Sequence, residues 1–417
     1  MGRLIHLELN KLFKRRSAAA ALLLLAAAAV VLAWAAISSA YTTDEGGKEI
    51  SGPAAISLLK ERTYNRSGQL DAQTLEAVVA NYQRIYRNPL FFTVPASGQG
   101  RVLNPEAYSQ YLAQNESIHL LLRALFSQPN VYDRNSVAML AQGEASTFYQ
   151  KRMEHVHAYL NMDFTYGNYS TEDKAYFIHM NERLDTPFTY GYSAGWEGLM
   201  ELLKPLLLFI ALAIVILLAP LFAAEYQTGA ASILLTTRYG RSKLIYAKLT
   251  AGFLAATGLF AGGVLLYGLI VFGVYGAAGG GNSWQTLALL SPYNLTLLTA
   301  CLGSLALGYL ACLAIAATVL ALSAWMKSPY PVVISGFLFL LAALFIPHSK
   351  ISRLFNHLKD LLPANLMDGT GIFRSYEVYH LFGLLVPQPI VMLATALAGI
   401  ALLLPVAHRG FRNHQIQ

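Results

Sequence analysis

Long uncharged apolar runs separated by basic segments restrict this chain more than any other feature of it. A run of about 20 apolar residues crosses roughly 30 Å of hydrocarbon as a helix. Such runs recur at Ser17–Ala40, Lys204–Ala224, Leu249–Ala277, Leu295–Met326, Val332–Ile346 and Pro389–Ala407. With 55% hydrophobic and 13% charged residues, the composition is that of a multi-span membrane protein, not of a soluble enzyme. The expected fold is an all-α polytopic membrane protein of six transmembrane helices. A large, mostly helical extracytoplasmic domain lies between helices 1 and 2. The fifth run is short, and the Pro329-Tyr330-Pro331 lead-in implies a tight turn before it.

In chain order, 1–16 reads as a cytosolic interfacial amphipathic helix. Ile5, Leu9, Leu12 and Phe13 gather on one side, with Lys11, Lys14 and Arg15 opposite. Such a helix is drawn to the headgroups by anionic lipid and buried apolar side chains. A plain basic flank that sets orientation is the alternative. Residues 17–40 form the first span and 41–203 the extracytoplasmic domain, which is too long for a simple loop. Within it, Asp71 caps a helix carrying the stripe Leu75, Val78, Val79, Tyr82, Ile85 and Tyr86. Asn104-Pro105 opens another, and Ser170 with Asp173 has capping-box spacing for a third through Met180. Gly/Pro-rich connections fall at Asn88–Asn104 and Thr186–Gly198. Residues 204–407 hold helices 2–6, with a cytosolic loop at 224–248. Segment 347–388 is either re-entrant or a surface-lying amphipathic helix. The cytosolic tail is 408–417.

Charge sets the orientation. The N-terminus, the 224–248 loop, Lys327 and the tail together carry twelve Lys/Arg against two acids, Glu8 and Glu225, a net of +10. The remaining eighteen basic and twenty-one acidic residues net −3. The positive-inside rule therefore puts both termini in the cytosol and 41–203 outside, in a cell (plasma) membrane of a bacterial kind. The overall charge of +7 is explained this way without nucleic acid as a partner.

The stretch Phe222–Lys248 stands out. It contains Glu225, the only acidic residue between Glu201 and Asp360, and ends in Arg238, Arg241, Lys243 and Lys248. It reads as a helix leaving the bilayer, a short helix lying across its end, and a basic return into the next span. Gly229 suits the sharp turn. The sequence here resembles the first cytoplasmic loop of ABC-2-type transporter permeases, the transmembrane subunits of ABC exporter-like complexes. Phe222, Glu225, Gly229, Leu234, Leu235, Thr236, Thr237, Arg241 and Lys248 carry the likeness, while Arg238 stands where the family often has Pro. The resemblance implies that Glu225, Tyr226, Gly229, Thr236, Thr237, Arg241 and Lys248 couple the chain to an ABC ATPase subunit, which holds the ATP and Mg. It also implies a second permease subunit, identical or a sister, and export of an amphipathic or apolar substrate such as a peptide, drug or lipid. Glu225 is expected either to pair with a basic group, on the ATPase or at Arg238 or Arg241, or to cap the short helix.

No catalytic, cofactor or metal site is expected in the chain. Gly279–Gly281 lacks the lysine of a phosphate-binding loop, so any nucleotide chemistry belongs to a partner. His155 and His157 face different ways on a helix and have no third ligand. Cys301 and Cys312 share a helix about 16 Å apart and cannot pair within it. The spans lack an ionisable residue near the midplane, which argues against an ion-coupled carrier. The alternative function is a membrane-anchored sensor whose extracytoplasmic domain binds a ligand without transport.

Overall fold

The computed structural model describes residues 1–64, 66–93, 101–127, 133 and 135–413. Residues 94–100 of the expected connection Asn88–Asn104, and 414–417 of the tail, lie outside the described residues. The protein is mostly helical. Among the described residues, five helices are long and apolar enough to cross a membrane: Arg16–Ser38, Leu203–Gln227, Lys243–Tyr275, Leu297–Trp325 and Gln388–Arg412, here the first to fifth long helices. The sixth expected span is Pro329–Phe345, only seventeen residues, or about 26 Å. Prolines limit it at both ends. Pro329 and Pro331 sit in its first turn, where a missing amide is tolerated. Ile346 turns extended just before Pro347, as a residue preceding proline prefers.

The second long helix is the axis of the bundle. Leu206, Ile210, Ile214, Leu217 and Phe222 are fully buried against the first, third and fourth long helices. The first long helix begins and the fifth ends at one and the same end of the bundle. Arg15 Nη1 donates to Pro220 O at 2.8 Å, and the Phe411 ring lies 4.9 Å from that of Phe222. At the opposite end Tyr275 Oη donates to Ala36 O at 2.7 Å. The short helix Pro329–Phe345 runs between the two ends. A Cβ on its Gly336 would lie 2.8 Å from Val215, so close approach requires glycine there.

A polar assembly covers the end opposite Phe411. The Asp71-capped helix is Ala72–Tyr86, with Asp71 Oδ1 accepting from Thr74 N at 2.8 Å. Ser170 and Asp173 form the expected capping box on Thr171–Glu182. Asn104 caps only a single turn, Pro105–Ala107, which continues as tighter and wider turns. The assembly is not confined to 41–203. Arg152, buried in it, donates to Leu289 O at 2.7 Å and Ser291 O at 2.9 Å, which follow the third long helix. The aromatic core of Tyr169 and Phe177 is completed by Tyr376 and Val378. Segment 347–388 accordingly is neither one continuous helix nor a separate layer. It consists of the helix Arg353–Asp360, two single turns, and the hairpin Val378–Leu381/Leu384–Pro387 docked on that core. Sequence periodicity finds its helix but not the tertiary aromatic contacts that anchor the rest.

Candidate functional site

The site is built where Pro220 interrupts the second long helix. Proline supplies no amide and clashes with the carbonyl four residues earlier. The neighbouring backbone groups find a partner in Ser323 of the fourth long helix. Its hydroxyl donates to Ala219 O at 2.7 Å and accepts from Phe222 N and Ala223 N at 3.0 and 3.1 Å. Tyr226 Oη then donates to Ala324 O at 2.8 Å, and its ring packs on Phe411. The last turns of the second, fourth and fifth long helices are thereby fastened together.

Glu225 lies within this knot, 2% exposed. Its Oε1 accepts from Lys248 Nζ at 2.7 Å and from Lys11 Nζ at 2.5 Å. Lys248, 0% exposed, also donates to Glu8 Oε2 at 2.7 Å and lies over the Phe222 ring. Two carboxylates and two ammonium groups form a charge-balanced cluster drawn from three helices. Glu225 Oε2 is buried with no hydrogen-bond partner among the described residues. Breaking one member of such a cluster leaves an uncompensated buried charge, which costs about 3–5 kcal/mol. The cluster thus fixes the amphipathic helix Gly2–Phe13 against the second and third long helices.

The short helix expected across the bundle end is Ala230–Thr236. Gly229 precedes it with φ +73°, a left-handed conformation that costs other L-residues about 1–2 kcal/mol. Thr236 Oγ1 and Thr237 Oγ1 donate to Ile233 O and Leu234 O, closing its last turn. Arg241 Nε donates to Leu235 O at 3.3 Å. Gly240 is pressed against the same turn: a Cβ there would lie 1.7 Å from Leu234 O. Leu235 points into the core, while Ile233 is 71% exposed. Beside it, Arg238 and Lys243 flank the half-exposed Tyr239 ring at 5.4 and 4.6 Å.

The seven expected coupling residues therefore divide. Glu225 and Lys248 are interior, and Tyr226 is turned toward the fourth and fifth long helices. Gly229, Thr236, Thr237 and Arg241 shape or border the exposed short helix. Glu225 does not cap that helix, whose N-cap is Gly229 and has no side-chain bond. Nor do Arg238 and Arg241 bond it, since its partners are Lys248 and Lys11. Lys248 is not a loop residue but lies in the second turn of the third long helix.

Sequence reasoning missed Glu8 and Lys11. The signal for Glu8 was there: it falls four residues after Leu4 and four before Leu12, in the middle of the helix's inward face. A lone acid in such a stripe calls for a buried basic partner. Lys11 was assigned to the solvent face, yet its long stem reaches Glu225. Phe13, placed on the apolar face, is exposed.

Residues 164–403, more than half of the chain, match the family described as "Protein of unknown function (DUF2705)". No curated protein and no solved structure matches the chain. Glu225, Lys248 and the short helix fall within the matched range, whereas Glu8 and Lys11 precede it.

Proposed function

The chain belongs to the DUF2705 family, and from that premise we propose that it is the membrane subunit of an ATP-driven transporter of the ABC-2 kind. The observation that carries this reading is the short helix Ala230–Thr236. It presents an exposed Ile233 beside a basic-aromatic patch, while its base is tied through Glu225 and Lys248 to three other helices. An element apolar at its tip and rigid at its root passes force from a docked ATPase into the helices. ATP and Mg belong to that ATPase, and a second permease subunit completes the complex. The cargo is an exported amphipathic or apolar molecule.

Six membrane crossings are favoured over five. The first long helix starts and the fifth ends at the same bundle end, so an even number of traverses is needed and Pro329–Phe345 supplies the sixth. Its 26 Å length is accommodated by local thinning of the bilayer. The Ile233 end, with its net of +10, is cytosolic, and the polar assembly faces outside.

Co-expression with ABC-type ATPase subunits of the source genome tests the reading. An ATPase should co-purify with the wild-type chain, and Ile233→Asp should abolish this while leaving the thermal midpoint unchanged. Undiminished co-purification with Ile233→Asp would refute docking at this helix.

A further inference from the structure

At the other end of the bundle, some twenty residues along the second long helix from Glu225, lies a cavity of about 810 Å³. It opens to the surface and is lined by Thr165 and Tyr166, Lys204, the end of the short helix Pro329–Phe345, segment 347–377 and the start of the fifth long helix. Its walls mix charge with apolar surface from Leu344, Ile372 and Met392.

The charges lining it do not balance. Lys204 pairs with Asp368 at 2.7 Å and Arg353 with Glu377 at 3.1 Å. Asp360 Oδ1 faces His348 Nε2 at 3.0 Å. Among the described residues, Lys359 has no carboxylate within ion-pair distance. Its Nζ instead meets the other nitrogen of the same imidazole, His348 Nδ1, at 3.0 Å. The His348 ring thus sits between the Lys359 ammonium and the Asp360 carboxylate. Lys359 is only 9% exposed. Burial lowers its pKa, and Lys204 adds repulsion against the attraction of Asp360. With Lys350 also at the wall, four Lys/Arg face three carboxylates. Lys359 reaches its nearest acid, Asp360, only through the His348 ring, and Lys350 at the exposed wall has no carboxylate partner among the described residues, so the lining carries one cation more than it has carboxylates.

The surroundings indicate what carries that anion. The helix Arg353–Asp360 turns Asn356 and Lys359 inward and leaves Leu354, Phe355 and Leu358 exposed. Phe345 and Ile351 extend the same apolar exposure beside the cavity. A charged interior beside an apolar exterior suits a molecule with an anionic head and a hydrophobic body. We propose that this cavity is an anion site for the phosphate or carboxylate head of an amphiphile, with Lys359 as the principal counter-ion and Lys204 and Lys350 assisting. The site is independent of the coupling reading, because its occupancy needs no ATPase.

The test uses the full chain in phosphatidylcholine nanodiscs, with dioleoylphosphatidic acid as one probe and inorganic phosphate as the other. Native mass spectrometry should find one phosphatidic acid retained per wild-type chain. Thermal unfolding should shift upward by about 1–2 °C in a chain of this size. Lys359→Gln should abolish both effects. Lys350→Gln, at an exposed position, should weaken retention several-fold. A shift with phosphate alone, lost in Lys359→Gln, would support the anion site with a soluble source. Equal retention by wild type and both variants, or no response to either probe, would overturn the proposal.

Discussion

Lys248 and Glu225, twenty-three residues apart in sequence and on different long helices, meet as a fully buried ion pair at 2.7 Å. The pair stands directly behind the turn at Gly229, so the exposed short helix and the bundle interior share one rigid joint. Glu8 and Lys11 bring the amphipathic helix into that joint.

The cluster makes a specific prediction about charge. Lys248→Met strands Glu8 in the interior, leaves Glu225 with Lys11 alone, and should cost about 3–5 kcal/mol, read as a fall in the thermal midpoint of the purified chain. The triple change Glu8→Gln, Lys248→Met, Glu225→Gln removes the stranded charge and should recover most of that loss. A triple variant no more stable than Lys248→Met would show that the charges are not what the lysine balances.

Two glycines of the same loop should respond differently. Gly229 has φ +73° and open space around it, so Gly229→Ala should cost only about 1–2 kcal/mol, from backbone strain alone. At Gly240 a Cβ would collide with the Leu234 carbonyl, and Gly240→Ala should disrupt the short helix. Limited proteolysis within 229–243 distinguishes them: cleavage should rise sharply in Gly240→Ala and little in Gly229→Ala.

Topology is open to direct labelling. Gln69 and Ser242 are exposed at opposite ends of the molecule, and both native cysteines are buried. Cysteines placed at these two positions should react with an impermeant maleimide from opposite sides of intact cells. Labelling from the same side would exclude the six-crossing arrangement.

Acid should loosen the polar assembly through His119. Burial pushes its pKa down from 6.5 to about 4, with Arg123 adding repulsion, and its ring lies tilted against that of Tyr82, 4.4 Å between centroids. The folded state holds this imidazole neutral while the unfolded chain binds a proton below about 6.5. Its contribution is therefore complete above that pH and declines as pH falls toward about 4. Thermal melts across this window should show a midpoint drop that His119→Leu diminishes.

Much of this architecture was legible in the sequence because the bilayer requires long apolar helices. The Asp71 cap, the Ser170–Asp173 capping box and the short helix after Gly229 rest on local chemistry, and each formed where its residues indicated. Pairings between distant segments were not legible. Nothing local to Glu225 tells that its cations come from Lys11 and Lys248, nor does Tyr376 announce its place beside Tyr169 and Phe177. Nothing local to Pro220 tells that Ser323 would satisfy the backbone it frees. The stretch Phe222–Lys248 was thus legible as a helix end, a short helix and a basic return. Its division into a buried joint and an exposed tip depends on tertiary contacts.

The most direct measurement places a photo-crosslinking amino acid at Ile233 in the full chain, expressed in its native membrane, with Gln69 as the control position. Irradiation should link Ile233 to a single ATP-binding subunit carrying a phosphate-binding loop, identified by mass spectrometry, and should give no such product from Gln69. Crosslinks from Ile233 only to lipid or to a second copy of the chain would contradict the account.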